Sequence, residues 1–189
     1  TFDRICDLLI ELGYLRQTDK ELRVLESGKL LGRIYGERDL LVSESLRHQL
    51  WNELDAPGLA AMAAALVYEA RRDDGFEVKL PRGNFAEILA DTEAKWDELE
   101  RLAKSHRLPS TAPLDSALCL PMHRWASGAK LDSVLQQADM LPGDFIRWTK
   151  QIVDLLDQLG QNAEPTISAL AREAVDRVKR GIVAYSYYG

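Results

Sequence analysis

Pro142-Gly143-Asp144-Phe145-Ile146-Arg147-Trp148-Thr149-Lys150-Gln151-Ile152-Val153-Asp154-Leu155-Leu156-Asp157-Gln158-Leu159-Gly160 separates its apolar from its polar residues when wound at about 100° per residue. Phe145, Ile146, Trp148, Ile152, Val153, Leu155, Leu156 and Leu159 fall on one side. Arg147, Lys150, Gln151, Asp154, Asp157 and Gln158 fall on the other, and Arg147, Gln151, Asp154 and Gln158 recur at helical spacing as a single polar file. Thr149 is the one interruption. Pro142 suits the first helical position, Asp144 complements the helix dipole in the first turn, and Gly160 is expected to close the far end. Such a helix is either a core helix with a solvated outer face or one whose polar file meets a ligand. The periodicity leaves both open.

The rest of the chain fits a mostly α fold. Its 189 residues, 46% hydrophobic and 29% charged, are enough for a sizeable core and ordinary for a globular protein. The longest apolar run, Leu59 to Tyr68, falls well short of the roughly 20 residues that span a bilayer, so no membrane segment is expected. The start, Thr-Phe-Asp-Arg-Ile-Cys-Asp, has no secretory pattern and no methionine, which gives the expectation of an excised piece of a longer chain. Cys6 and Cys119 lie far apart in apolar-patterned segments and read as small hydrophobes, in keeping with a reducing, cytoplasmic setting.

Several chemistries are missing. There is no Gly-x-x-x-x-Gly-Lys-Ser/Thr phosphate loop, no Gly-x-Gly-x-x-Gly turn and no Gly-x-Ser-x-Gly elbow. His48, His106 and His123 lack ligand spacing with each other or with the cysteines. The expectation is therefore a piece without catalytic residues, metal or cofactor of its own. The net charge of −6 argues against a large non-specific nucleic-acid footprint but leaves room for a lined channel fed by other domains.

Phe2–Leu12 carries a helical apolar stripe that Gly13 stops. Residues 14–16 and 22–25 can pair across a polar turn, so 1–26 reads as a helix plus β-hairpin, a winged-helix remnant. Ser27 is expected to cap a helix through Leu30, Leu31, Ile34 and Tyr35, and a second helix to run from near Glu37 to Leu50. Asp55 caps an alanine-rich helix expected to reach Arg72, with Glu69 on its rim. Asn84 caps a long helix, and the proline-bracketed stretch 108–113 reads as a linker between a first helical half, 27–112, and a second, 113–189. The second half holds helices from 115 or 116 to 126, from 131 to 138, from 142 to 160 and from 166 to about 180.

Gly28-Lys29-Leu30-Leu31-Gly32-Arg33-Ile34-Tyr35 and Ala65-Leu66-Val67-Tyr68-Glu69 resemble parts of the helical bundle of superfamily 2 DExH-box RNA helicases of the exosome-cofactor and antiviral type, including the actinobacterial HelY-like branch. Trp125-Ala126-Ser127-Gly128, Gly143-Asp144-Phe145-Ile146-Arg147 and Arg180-Gly181-Ile182-Val183 resemble, in that order, the DSHCT domain of the same family. The resemblance implies that 142–160 is a ratchet helix whose polar face touches single-stranded RNA leaving the motor. It implies nucleic-acid contacts at Glu69, Arg147, Lys150, Gln151 and Asp154, and ATP and Mg in upstream motor domains of the same chain. Gln151 departs from the pattern, since better-known relatives have arginine there, and the change loses a planar cation. Gly181 stands where many relatives have an acid.

Three functions follow from these residues: a strand-guiding module of an ATP-dependent RNA helicase, with DNA as a possible strand; a helical scaffold for protein partners; and a DNA-binding regulator built on the hairpin segment. The last fits least, because Phe2–Leu12 exposes Asp3, Asp7 and Glu11.

Overall fold

The computed structural model describes residues 2–19, 21–33, 38–70 and 77–188, with side chains described outside 30–33. Among the described residues there are ten helices and one two-stranded antiparallel hairpin. The fold is a mostly α helical bundle with a small helix and hairpin at its start. By internal packing the chain divides into two units that alternate in sequence: Thr1–Leu50 with Ala90–Pro113, and Trp51–Leu89 with Leu114–Gly189.

In the first unit α1 (Phe2–Leu12) ends at Gly13, φ +86°, and β1 (Leu15–Gln17) pairs with β2 (Leu22–Val24) in the register Leu15↔Val24. α2 (Glu26–Arg33) starts one residue before the expected Ser27. The Ser27 hydroxyl does not cap it but donates to the Gly13 carbonyl at 2.6 Å, tying the helix to the chain before the hairpin. Gly28 crosses the backbone so closely that a Cβ would stand 2.5 Å from the Tyr14 carbonyl oxygen, so a larger residue would have to push the hairpin away. The expected helical positions Ile34, Tyr35 and Glu37 lie outside the described residues.

α3 (Asp39–Arg47) stops three residues short of the expected Leu50, because Gln49 takes φ +55° and lets the Leu50 N–H donate to the Ser45 carbonyl. Tyr14 is fully buried against this helix. Its hydroxyl donates to the Glu44 carboxylate at 2.7 Å and shares a hydrogen bond with Ser43 at 3.0 Å, while Arg47 pairs with Glu44 at 2.9 Å and lies over the Tyr14 ring. A buried carboxylate is tolerated here because both partners are in place. The later part of α5 (Phe85–Ser105) also belongs to this unit. The proline-bracketed stretch is held to it: Glu100 accepts from the Thr111 N–H at 3.0 Å, Trp96 donates to the Thr111 hydroxyl at 2.9 Å, and Arg38 donates to the Ala112 and Pro113 carbonyls.

The second unit is built on α4 (Ala56–Val67), capped by Asp55, whose carboxylate accepts from the Gly58 N–H at 2.8 Å. Its alanines let α6 (Cys119–Ala126), α8 (Pro142–Asn162) and α9 (Pro165–Val178) come close on several sides, so the helix is buried almost all round. Leu59, Met62, Met122, Ile152, Leu156 and Leu159 fill the space between, each contributing about 1.5–3 kcal/mol by burial. α6 begins three or four residues later than expected. Asp115 is used instead to accept from the Ala117 and Ala70 N–H groups, and α7 (Leu131–Ala138) follows Gly128 as expected.

α8 does not end at Gly160. The helix continues to Asn162, and Gly160 is an interior close-approach site where a Cβ would meet Arg172 at 3.2 Å. Its carbonyl accepts from the Ser168 hydroxyl and from Arg172 at 3.0 Å, which binds α8 to α9. Glu164 caps α9 through the Thr166 and Ile167 N–H groups. A further short helix, α10 (Gly181–Tyr185), follows.

Two motifs far apart in sequence meet here. The Arg180 guanidinium lies 3.6 Å above the Trp125 ring and donates to the Trp125 and Ala129 carbonyls, while the Trp125 indole N–H donates to the Val178 carbonyl at 2.8 Å. Trp125 also packs edge-on against Phe145 at 5.5 Å. Gly181 has φ +52° beside this ring, a conformation that suits glycine.

Candidate functional site

α8 carries the candidate site, and all of it lies in the second unit. Phe145, Ile152, Val153, Leu155, Leu156 and Leu159 are buried, as the periodicity requires. Thr149 is buried as well, because its hydroxyl donates to the Phe145 carbonyl one turn back at 2.6 Å, which satisfies it without a ligand. Arg147, Gln151 and Asp154 stand exposed along the opposite side. The polar file is therefore a real surface feature of the helix.

Arg147 pairs with Asp144 at 3.6 Å, an exposed contact worth less than about 1 kcal/mol. Its guanidinium also lies 5.2 Å from the centre of the half-exposed Trp148 ring. Trp148 in turn meets Tyr68 edge-on at 5.1 Å. That contact accounts for the early end of α4: Tyr68 takes an extended conformation, the Asp115 N–H donates to the Ala65 carbonyl at 3.2 Å, and the chain leaves the helix at Val67. Glu69 is thus exposed on the segment after α4, not on a helix, and the residue before it touches α8 next to Arg147. The expected positions Arg71 and Arg72 lie outside the described residues.

Lys150 is set apart from the file. It is half-buried, donates to the Ser186 carbonyl at 3.2 Å and lies 4.9 Å from the centre of the Tyr187 ring. Lys179 lies over the same ring at 4.1 Å. Burial first, then the Asp154 and Asp157 carboxylates, push the Tyr187 phenol above its ordinary pKa. Burial likewise raises Asp157, partly offset by Lys179. Tyr68 is raised mainly by burial, with Asp115 and Asp144 adding to it.

The arrangement therefore sets Arg147, Gln151 and Asp154 along one exposed side of α8, brings Tyr68, the neighbour of Glu69, against Trp148, and commits Lys150 to the tail. It offers guanidinium, amide and carboxylate groups along one exposed line, which is equipment for binding. Among the described residues no group of three or more His, Cys, Asp or Glu side chains could hold a metal, and no helix is long and apolar enough to cross a membrane. The tail contacts of Lys150, the Lys179–Tyr187 pair and the partial exposure of Trp148 were not readable from spacing. Lys150 has the same helical phase as other polar residues, and Trp148 looks like core.

The DSHCT (NUC185) domain profile matches residues 21–186. The chain is 38% identical over 196 residues to a probable helicase HelY of Mycobacterium leprae and 35% identical over the same span to a probable helicase HelY of Mycobacterium tuberculosis. These alignments cover 97% of this chain and 21% and 22% of those proteins, so the chain spans about a fifth of their length. It is 26% identical over 160 residues to the DExH-box ATP-dependent RNA helicase DExH15 chloroplastic of Arabidopsis thaliana, covering 81% of this chain and 14% of that protein.

Proposed function

This chain belongs to the DSHCT domain family, and from that premise we propose that it guides single-stranded RNA within an ATP-dependent RNA helicase, along the exposed line Arg147, Gln151 and Asp154 of α8 with Glu69 beside it. ATP and Mg act in motor domains elsewhere in the longer protein, and this chain contributes no step of the hydrolysis. The mycobacterial relatives are named as probable helicases and the plant relative as an ATP-dependent RNA helicase, which supports the helicase context. The observation that carries the reading is the separation on α8 between a face filled by the core and a face of exposed hydrogen-bonding groups.

Each residue has a definable chemistry toward RNA. Arg147 supplies a planar donor for phosphate or a base face. Gln151 offers two donors and an acceptor without charge, and Asp154 and Glu69 accept from the amino groups of bases and repel phosphate, so they favour a strand with its bases turned inward. In a chain of net charge −6 the bulk attraction for phosphate comes from other domains, and this line orients the strand.

The test is Arg147→Ala/Gln151→Ala in the full-length protein. RNA unwinding is expected to fall several-fold while the melting temperature stays unchanged, since both residues are exposed. Unwinding and RNA-stimulated ATP hydrolysis equal to the parent would refute the guide and leave α8 a scaffold helix with a solvated face.

A further inference from the structure

Three tyrosines, Tyr185, Tyr187 and Tyr188, stand in and just after α10, and Tyr187 is held to α8 through Lys150. Tyr185 closes α10, and the Tyr188 N–H donates to the Tyr185 carbonyl at 3.0 Å, which sets the two residues three apart on one turn, the spacing at which helical neighbours share a side. Tyr185 is 78% exposed and Tyr188 89%. Tyr187, between them, is much less exposed and lies under the Lys179 and Lys150 ammonium groups. With Lys150 also donating to the Ser186 carbonyl, Tyr187 acts as a peg that fixes the turn against α8 near Asp154 and Asp157.

The geometry points to a base-stacking platform: Tyr185 and Tyr188 receive successive bases of the single-stranded RNA that passes Arg147, Gln151 and Asp154, with the Lys179 ammonium toward its phosphates. This rests on the strand-guiding reading of α8. Three kinds of group meet at this turn, and they match the three parts of a nucleotide: an open ring face for the base plane, an exposed ammonium with three donors for the phosphate, and carboxylates for base amino groups. Every base has a π face, so the platform holds the strand without reading its sequence. Tyrosine orders with only two side-chain torsions, so little is lost on binding.

The experiment measures binding of labelled oligo(A) RNA to the full-length protein by fluorescence anisotropy. It is repeated with an oligonucleotide of the same length carrying abasic spacers. Tyr185→Ala/Tyr188→Ala is expected to weaken oligo(A) binding by about fivefold or more, the low end of what one lost base–aromatic stack gives. Tyr185→Phe/Tyr188→Phe keeps the ring faces and binds like the parent, and the abasic strand binds parent and alanine variant equally. The alanine variant binding oligo(A) like the parent, while Arg147→Ala/Gln151→Ala weakens it, overturns the platform and leaves the α8 reading standing. An equal loss on the abasic strand also overturns stacking. An inert Arg147→Ala/Gln151→Ala with a base-dependent loss at the tyrosines refutes the α8 line and overturns the platform as an extension of it, because the strand then reaches the tyrosines without passing Arg147 and Gln151.

Discussion

Replacing Trp125 by phenylalanine tests how the family's separated motifs hold together. Trp125 is buried, and its indole N–H donates to the Val178 carbonyl at 2.8 Å. Phenylalanine removes that bond, at about 1 kcal/mol net. The Val178 carbonyl is not orphaned, because the Arg180 N–H also donates to it at 3.0 Å, which keeps the loss near the ordinary value. The smaller ring leaves a void beside Phe145 worth about 1–2 kcal/mol, and the weaker quadrupole under Arg180 loses roughly 0.5 kcal/mol. Together Trp125→Phe costs about 3 kcal/mol. Arg180→Lys loses the fork that reaches the Trp125 and Ala129 carbonyls, a further 1–2 kcal/mol or so. Since the two side chains touch, the double variant should fall short of the sum of the single losses by about 1 kcal/mol. Urea denaturation followed by circular dichroism at pH 7 measures all three. A single loss under about 1 kcal/mol at Trp125, or strict additivity, refutes the contact as the joint between the two motifs.

Three more outcomes follow from the same geometry. Gly181→Ala meets only ordinary contact with Trp125 at 3.5 Å, so its cost is the left-handed backbone alone, about 1 kcal/mol in a denaturant titration; no loss would show that the turn relaxes freely. Thr149→Val removes a hydroxyl bonded only within its own helix and should change stability by less than about 1 kcal/mol and leave RNA unwinding unchanged, whereas a loss of unwinding would give Thr149 a role beyond packing. Burial first, and then the contacts with Glu44, push the Tyr14 phenol up to about 12, against 10 unfolded. Neutral Tyr14 therefore contributes stability that is constant below pH 10 and lost as pH rises through 12. Absorbance titration should show a component ionising near pH 12 that disappears in Tyr14→Phe, and an unchanged titration would refute the buried network.

The helices themselves were legible because burial writes a period into the sequence. The 131–138 helix and the start of α8 fall where spacing and proline put them, and Asp55 caps α4 as its residue type predicts. The ends were less legible where tertiary contacts decide them. Gln49 and Arg107 take positive φ without being glycine, and Gly160, which looks like a terminator, is a contact surface for Arg172 and Ser168. Tyr68 leaves its helix to reach Trp148, a choice that depends on a residue 80 positions away and so has no local signal. Of the candidate site, Arg147, Gln151 and Asp154 were readable as an exposed line because a polar file on an amphipathic helix faces outward. Lys150 has the same polarity and nearly the same phase, and only the tail that passes beside it decides its partner.

The alternation of the two units along the chain has a consequence in time. α4 leaves the ribosome long before the helices that cover it, and roughly a hundred residues separate its end from the start of α9. At about 5–20 residues per second, that is on the order of 5–20 s before a helix buried on nearly every side in the finished protein has all of its cover, α6 arriving roughly halfway through. Part of that interval is spent making Ala90–Pro113, which belongs to the other unit. Synthesis speed between codons 68 and 164 therefore sets how long this apolar helix is open to chaperones or to another nascent copy.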